Sequence, residues 1–226
     1  AKLKKSVLVV EKGRRVGGVC VHTGTIPSKT LRETVLNLSG WRERGFYGRA
    51  YRVKQDISAQ DLGTRLSITL DHEVEILEHQ FARNKVDKIA GTARFADAHH
   101  IEVTSAASDV VRFSAERFIL AVGTAPFRPE DVPFDGEVVL DPDDILSLKR
   151  LPRSLCVVGA GVIGIEYATI FSALDVKVTV TDPAPLLLPF VDRELIDEFI
   201  HDMRDRGMTV RMNCRATRIA RAGDMA

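Results

Sequence analysis

No apolar stretch in these 226 residues approaches the roughly 18 that a membrane-spanning helix needs. The opening Ala1-Lys2-Leu3-Lys4-Lys5-Ser6 is basic, but the pattern of a strand ending in an acid follows it, not the long apolar centre of a secretory leader. Cysteine is scarce. Cys20, Cys156 and Cys214 are an odd number without metal-ligand spacing, which argues against a disulfide scaffold or a metal site and suits a reducing compartment, read as the cytoplasm. An excess of charge of one sign is missing too: a net charge of +1 from mixed signs points to neither nucleic acid nor a membrane surface as partner. Nor does any Ser-His-Asp set or pair of carboxylates mark a hydrolytic site. What remains is 45% apolar, enough to fill one large or two modest cores.

What the chain does have is glycine in telling places. An apolar strand, Val7-Leu8-Val9-Val10, ends in Glu11 and Lys12, and Gly17-Gly18-Val19-Cys20 follows, then Gly24-Thr25-Ile26-Pro27-Ser28-Lys29. Two glycines after a strand let the backbone approach a bulky polar ligand, because they lack a side chain and tolerate positive φ. Glu11 then either binds a ribose hydroxyl or simply ends its strand in water, and Gly17-Gly18 downstream favour the ribose. From Lys29 a helical face runs through Leu31, Val35 and Leu38, with Pro27 and Ser28 just before it. A second helix is predicted from Leu62, Leu66, Leu70, Val74, Leu77 and Phe81. His72 and His79 on it read as surface residues, since no carboxylate cluster accompanies them.

Between Val86 and Phe113 the period drops to two, which predicts a small antiparallel β meander through Ile89, Gly91–Phe95, Ile101–Thr104 and Val110–Phe113. Phe118–Thr124 reads as a buried strand ending at Gly123, and the loop-rich Pro133–Arg150 as a domain boundary. A second strand, Leu155–Val158, meets Gly159-Ala160-Gly161-Val162-Ile163-Gly164, then a helix from Ile165, then a strand from Val176 to Thr181 ending in Asp182. Strand, Gly-x-Gly-x-x-Gly, helix, strand and an acid about 20 residues on are together the fingerprint of a dinucleotide site. In it the first glycine makes the turn, the second admits a pyrophosphate and the third packs helix on strand. Asp182 can accept two hydrogen bonds from a ribose diol, which fits NAD(H). A 2′-phosphate would be repelled, and Pro183-Ala184-Pro185 bring no arginine. The bland alternative is an aspartate ending a strand. A helix is then predicted over Asp192–Met208 and a strand over Thr209–Met212.

The run from Gly17 to Lys29 resembles the redox motif of the flavin-dependent pyridine nucleotide-disulfide oxidoreductases. The family pattern, Gly-Gly-x-Cys-x-x-x-x-Cys-x-Pro-x-Lys, lays a reactive disulfide on the flavin. Here Cys20 is present, but Thr25 occupies the second cysteine position, so no disulfide can relay electrons. With Glu166-Tyr167-Ala168-Thr169 downstream, the chain is similar to the branch of the family that passes hydride between NADPH and NAD.

The resemblance implies an α/β fold of two doubly wound, Rossmann-like domains, FAD-binding over 1–150 and NAD(P)-binding over 151–226, each incomplete, and a homo-oligomer when full-length. It implies FAD, NAD(H) and NADP(H) as the small-molecule partners. FAD would be held by Glu11, Lys12, Gly17, Gly18, Val19, Cys20 and Lys29, by Gly91, Thr92 and Ala93 near the adenine, and by Ala121 and Gly123. The nicotinamide nucleotide would be held by Gly159, Gly161, Val162, Ile163, Gly164, Glu166 and Asp182. Lys29 and Glu166 are expected to form a buried ion pair at the reactive centre. The rival readings are a dihydrolipoyl dehydrogenase-like disulfide reductase with an altered motif, against which Thr25 argues chemically, and a non-catalytic nucleotide-binding fragment.

Overall fold

The computed structural model describes residues 4–223; residues 1–3 and 224–226, the outer ends of the two expected domains, lie outside the described residues. The chain forms two compact units, one of residues up to 26 with 68–125 and the other of 27–67 with 126 onward, so the division cuts two helices.

In the first unit β1 (Leu8–Glu11) pairs in parallel with β2 (Asp87–Ala90), in the register Leu8 to Asp87 through Glu11 to Ala90. A short helix α1 (Gly18–His22) follows the paired glycines, and α2 (Thr25–Leu38) begins in this unit. The meander is β3 (Thr92–Phe95), β4 (His100–Thr104) and β5 (Val110–Ser114), all antiparallel. Ile89, expected in that meander, belongs to β2 in the parallel pair instead. The break is at Gly91, where a Cβ would lie 2.7 Å from the Thr104 carbonyl oxygen, so only glycine lets the chain pass from one sheet to the next. Val16, Val21 and Val74 make a small core with Ile26, Leu77 and Phe81.

A second correction concerns Phe118–Thr124. It is not a buried strand: the segment is irregular, with Ile119 and Val122 about nine-tenths exposed. Among the described residues no strand is hydrogen-bonded to it, and a run of apolar residues without such a neighbour has no ladder to join.

The second unit is built on a parallel sheet in the order β6 (Ser154–Val158), β7 (Lys177–Thr181), β8 (Thr209–Arg211). The crossovers are α5 (Val162–Ser172) and α6 (Arg193–Asp205). Val178 and Val180 of β7 are fully buried, as β-branched residues of a central strand under helices should be. Ala168 and Phe171 of α5, Met203 of α6 and Leu31 and Val35 of α2 complete the same core. Burying such side chains contributes about 1.5–3 kcal/mol each.

α2 starts at Thr25, four residues before the expected Lys29, because Pro27 falls in the first turn, where the missing N–H has no partner to lose. After it come a 3₁₀ turn (Trp41–Glu43), α3 (Arg44–Tyr47) and the 25-residue α4 (Ala59–Arg83). The start of α4 is a capping box: Ser58 N–H donates to Asp61 at 2.8 Å and Asp61 N–H returns to the Ser58 hydroxyl at 3.3 Å. Leu62 on α4 packs in the second core and Val74 in the first, while His72 and His79 are exposed, as expected of surface residues.

Candidate functional site

β6 delivers the chain into Gly159, whose φ of 115° is a glycine conformation. Its N–H donates to the Thr181 carbonyl at 2.9 Å, tying the turn to the end of β7. Gly164, in the first turn of α5, sits so close that a Cβ would lie 2.2 Å from the Gly159 carbonyl oxygen. Gly161 between them faces open space, with nothing within 4 Å of where its Cβ would be. Crowding at the third glycine seats the helix on the strand, and space at the second leaves the first N–H groups of α5 uncovered. Those orphan donors and the helix dipole, roughly half a positive charge, favour an anion at this point. Val162 and Ile163, the first residues of α5, are more than half exposed.

Asp182 closes the turn from the β7 side. One carboxylate oxygen accepts from Ala160 N–H and the other from Ala184 N–H, both at 2.7 Å. The acid is therefore a brace for the glycine turn as well as an acceptor at its rim, and each oxygen keeps a lone pair for a ligand hydroxyl. The backbone at the end of β8 lies alongside: Cys214 N–H donates to the Asp182 carbonyl at 2.9 Å and Asn213 N–H to that of Ala184 at 3.0 Å. Sequence spacing around Asp182 alone does not reveal this neighbour. It follows once β8 is placed beside β7 in a parallel sheet, with both C-terminal ends at one edge.

In the same unit Lys29 of α2 and Glu166 of α5 form an ion pair. The pair is not buried as expected: the Lys29 side chain is 58% exposed and that of Glu166 19%. The more exposed Lys29 ammonium reaches Glu166 from the solvent side. Next to Glu166, the Tyr167 hydroxyl is buried without a partner among the described residues; desolvation, with the nearby Glu166 and Asp143 charges, pushes its pKa up, so it stays a neutral phenol.

In the first unit one Glu11 oxygen accepts from Gly13 N–H at 2.7 Å, folding the strand-end acid onto its own turn, while Lys12 is exposed. Gly17 (φ 121°) leaves room for Val21, which a Cβ there would meet at 2.7 Å, and Gly18 faces open space. Val19 and Cys20 lie on α1, with Cys20 exposed. Val19 and Gly123, a hundred residues apart in sequence, come together: a Cβ on Gly123 would touch a Val19 methyl at 3.2 Å. Ala121 is exposed beside it, and Gly91, Thr92 and Ala93 lie where β2 passes into β3. Among the described residues no group of His, Cys, Asp and Glu could hold a metal ion, and no helix is long and apolar enough to cross a membrane.

The profile of the family described as Pyridine nucleotide-disulphide oxidoreductase matches residues 1–226. A soluble pyridine nucleotide transhydrogenase of Mycobacterium tuberculosis is 49% identical over 220 residues, which are 97% of this chain and 47% of that protein. Its namesake from Colwellia psychrerythraea is 38% identical over 93% of this chain and 45% of its own length. Among solved structures, LpdA of Mycobacterium tuberculosis superposes with a TM-score of 0.87 at 26% identity, over 97% of this chain and 48% of that one. The HOCl-induced flavoprotein disulfide reductase RclA of Escherichia coli gives 0.79 at 25%, over 96% and 46%. The chain thus spans about half the length of the relatives it matches.

Proposed function

The chain belongs to the pyridine nucleotide-disulphide oxidoreductase family, and on that premise we propose that it is part of a cytoplasmic, homo-oligomeric flavoprotein that transfers hydride between NADPH and NAD without a redox-active disulfide. In this reading residues 1–150 belong to a doubly wound FAD domain and 151–226 to a doubly wound nucleotide domain. Bound FAD would supply the hydride-accepting and hydride-donating chemistry. The Glu11–Lys12 turn, Gly17–Cys20, Gly91–Ala93, Ala121 and Gly123 would hold it. The open backbone at Gly18 and the meeting of Val19 with Gly123 support that assignment.

The nicotinamide nucleotide would lie on the Gly159–Gly164 turn. Its pyrophosphate would take the uncovered N–H groups after Gly161, and its ribose hydroxyls the remaining lone pairs of Asp182. Lys29 brings a positive charge to the centre, and Glu166 orients it, so that negative charge gained on reduction is stabilised by an ammonium already in place.

The contact of Lys29 with Glu166 carries the proposal, because it joins the lysine of the redox-like motif to the helix that opens the nucleotide turn. Thr25, where a second thiol would stand, argues against disulfide relay. The test is an assay of the full-length protein. It should show a flavin absorption spectrum and reduce thio-NAD at the expense of NADPH. A flavoprotein that reduces lipoamide and not thio-NAD would replace this reading with the disulfide reductase. A protein that binds nucleotide but no flavin would replace it with a non-catalytic one.

A further inference from the structure

If one glycine turn is to serve both NAD(H) and NADP(H), as the proposed function requires, something must offset the Asp182 carboxylate when a 2′-phosphate arrives. Pro183-Ala184-Pro185 offer no cation. The end of β8 does. Arg211, its last residue, is the register partner of Thr181, and the Asp182 N–H donates to the Arg211 carbonyl at 3.1 Å. Two residues on, Asn213 and Cys214 hydrogen-bond the backbone of Ala184 and Asp182, and the Thr181 hydroxyl donates to the Cys214 carbonyl at 2.9 Å. Arg215 follows at once. The chain therefore carries one arginine into, and another out of, the contact with the strand-end acid.

Both arginines are exposed, and among the described residues neither makes an ion pair or a side-chain hydrogen bond. Arg153, Arg204 and Arg218 of the same unit are also exposed and unpaired among the described residues, but Arg153 stands just before β6 and Arg204 in the last turn of α6, towards the N-terminal ends of the strands, so place and not pairing alone singles out Arg211 and Arg215. Arg44 and Arg52 are held by Asp175, Arg128 by Asp141, Arg193 by Asp197 and Arg206 by Asp202. Those five are each paired with a carboxylate; the two that flank the backbone contact with Asp182 are not. Asp182, by contrast, already receives two N–H groups, which compensate part of its negative charge.

We propose that Arg211 and Arg215 form a 2′-phosphate subsite, so that the turn accepts NAD(H) through the Asp182 carboxylate and NADP(H) through these guanidiniums. The inference rests on the reading of the Gly159–Gly164 turn as a nicotinamide nucleotide site. A guanidinium fork suits a terminal phosphate, whose oxygens it can meet in pairs.

Dissociation constants of NADP⁺, NAD⁺, 2′,5′-ADP and 5′-AMP would be measured by titration calorimetry on the full-length protein and on its Arg211→Gln/Arg215→Gln variant. The variant should lower the affinity ratio of NADP⁺ to NAD⁺, and of 2′,5′-ADP to 5′-AMP, by about tenfold or more, a difference of ~1.4 kcal/mol. Lysine at both positions should restore most of the ratio, since a point charge still attracts the phosphate. An unchanged ratio, or equal loss for all four nucleotides, overturns the subsite while leaving the nucleotide turn in place. Failure of the unmodified protein to bind any of the four overturns the nucleotide reading itself, and the subsite with it.

Discussion

Lys29 and Glu166, 137 positions apart in the chain, meet as an ion pair between α2 and α5. The lysine remains mostly in water, so the pair contributes on the scale of an exposed salt bridge, about 0–1 kcal/mol. In the proposed function its value lies in aiming the ammonium. Lys29→Met in the full-length protein should therefore change the urea-unfolding free energy by less than about 1 kcal/mol, while slowing reduction of the flavin by NADH. A loss of about 3–5 kcal/mol would instead mean that the pair is desolvated in the whole protein.

Cys20 has no thiol at position 25 with which to cycle, and it lies exposed on the short helix α1. Cys20→Ser should keep most of the hydride-transfer rate. Dithionite titration should produce no long-wavelength charge-transfer band of the kind a thiolate gives beside a flavin. An inactive Cys20→Ser protein with its flavin intact would give the thiol a role that its isolation denies.

The parts of the fold legible in the sequence were those where local periodicity and tertiary burial agree. β6, α5, β7, α6 and β8 fall within a few residues of expectation because apolar period and turn chemistry coincide there. The long helix α4 was legible for the same reason. Phe118–Thr124 was misread because an apolar run specifies a strand only when a neighbouring strand is present to pair with it. Ile89 was assigned to the wrong sheet because alternation reports a strand and says nothing of its partner. In the candidate site the three glycines and Asp182 were legible from spacing. The brace from Asp182 to Ala160 and the approach of β8 were not, since both are contacts between segments that only the sheet brings together.

The three glycines of the turn make separable demands. Gly164→Ala would place a methyl 2.2 Å from a backbone oxygen, which cannot swing aside as a side chain can, so the helix must shift. Overpacking of this kind costs about 1–3 kcal/mol and should show as a lower unfolding midpoint. Gly161→Ala meets nothing within 4 Å and has an ordinary negative φ of −73°, so stability should hold while NADH affinity falls. If both variants lose stability equally, the open space at Gly161 is not reserved for a ligand.

Acid should loosen the start of α4 before it reaches the parallel sheet. Hydrogen bonds from Lys54 and from the backbone and hydroxyl of Ser58 hold the Asp61 pKa down at about 2, against an ordinary 3.8. A carboxyl whose pKa is depressed on folding adds stability that is fully present above the unfolded value. That stability is lost as pH falls through the folded one, here between about 4 and 2. Far-UV circular dichroism should be flat from neutral pH down to about 5 and should lose helical signal below about 4. Asp61→Asn should weaken that part of the acid response and leave the neutral-pH spectrum little changed. An identical acid transition in the variant would remove Asp61 from the cause.

Asp182 faces two tests at once, because its two oxygens serve the protein before they serve a ligand. Removing the carboxylate strands Ala160 N–H and Ala184 N–H, each paired at 2.7 Å. Loss of a buried or partly buried partner typically costs about 1–3 kcal/mol. Asp182→Ala should therefore lower both the unfolding free energy and the NADH affinity. Asp182→Asn separates the two effects: its amide oxygen can still accept from Ala160 while its NH2 cannot accept from Ala184, so part of the stability should return. The lost charge, and an amide nitrogen facing a ribose hydroxyl in place of one oxygen, should keep NADH binding weak. The measurement is a pair of curves on each variant, urea unfolding and NADH titration. Stability and affinity recovering together in the asparagine variant would mean that Asp182 acts on the nucleotide only through the shape of the turn.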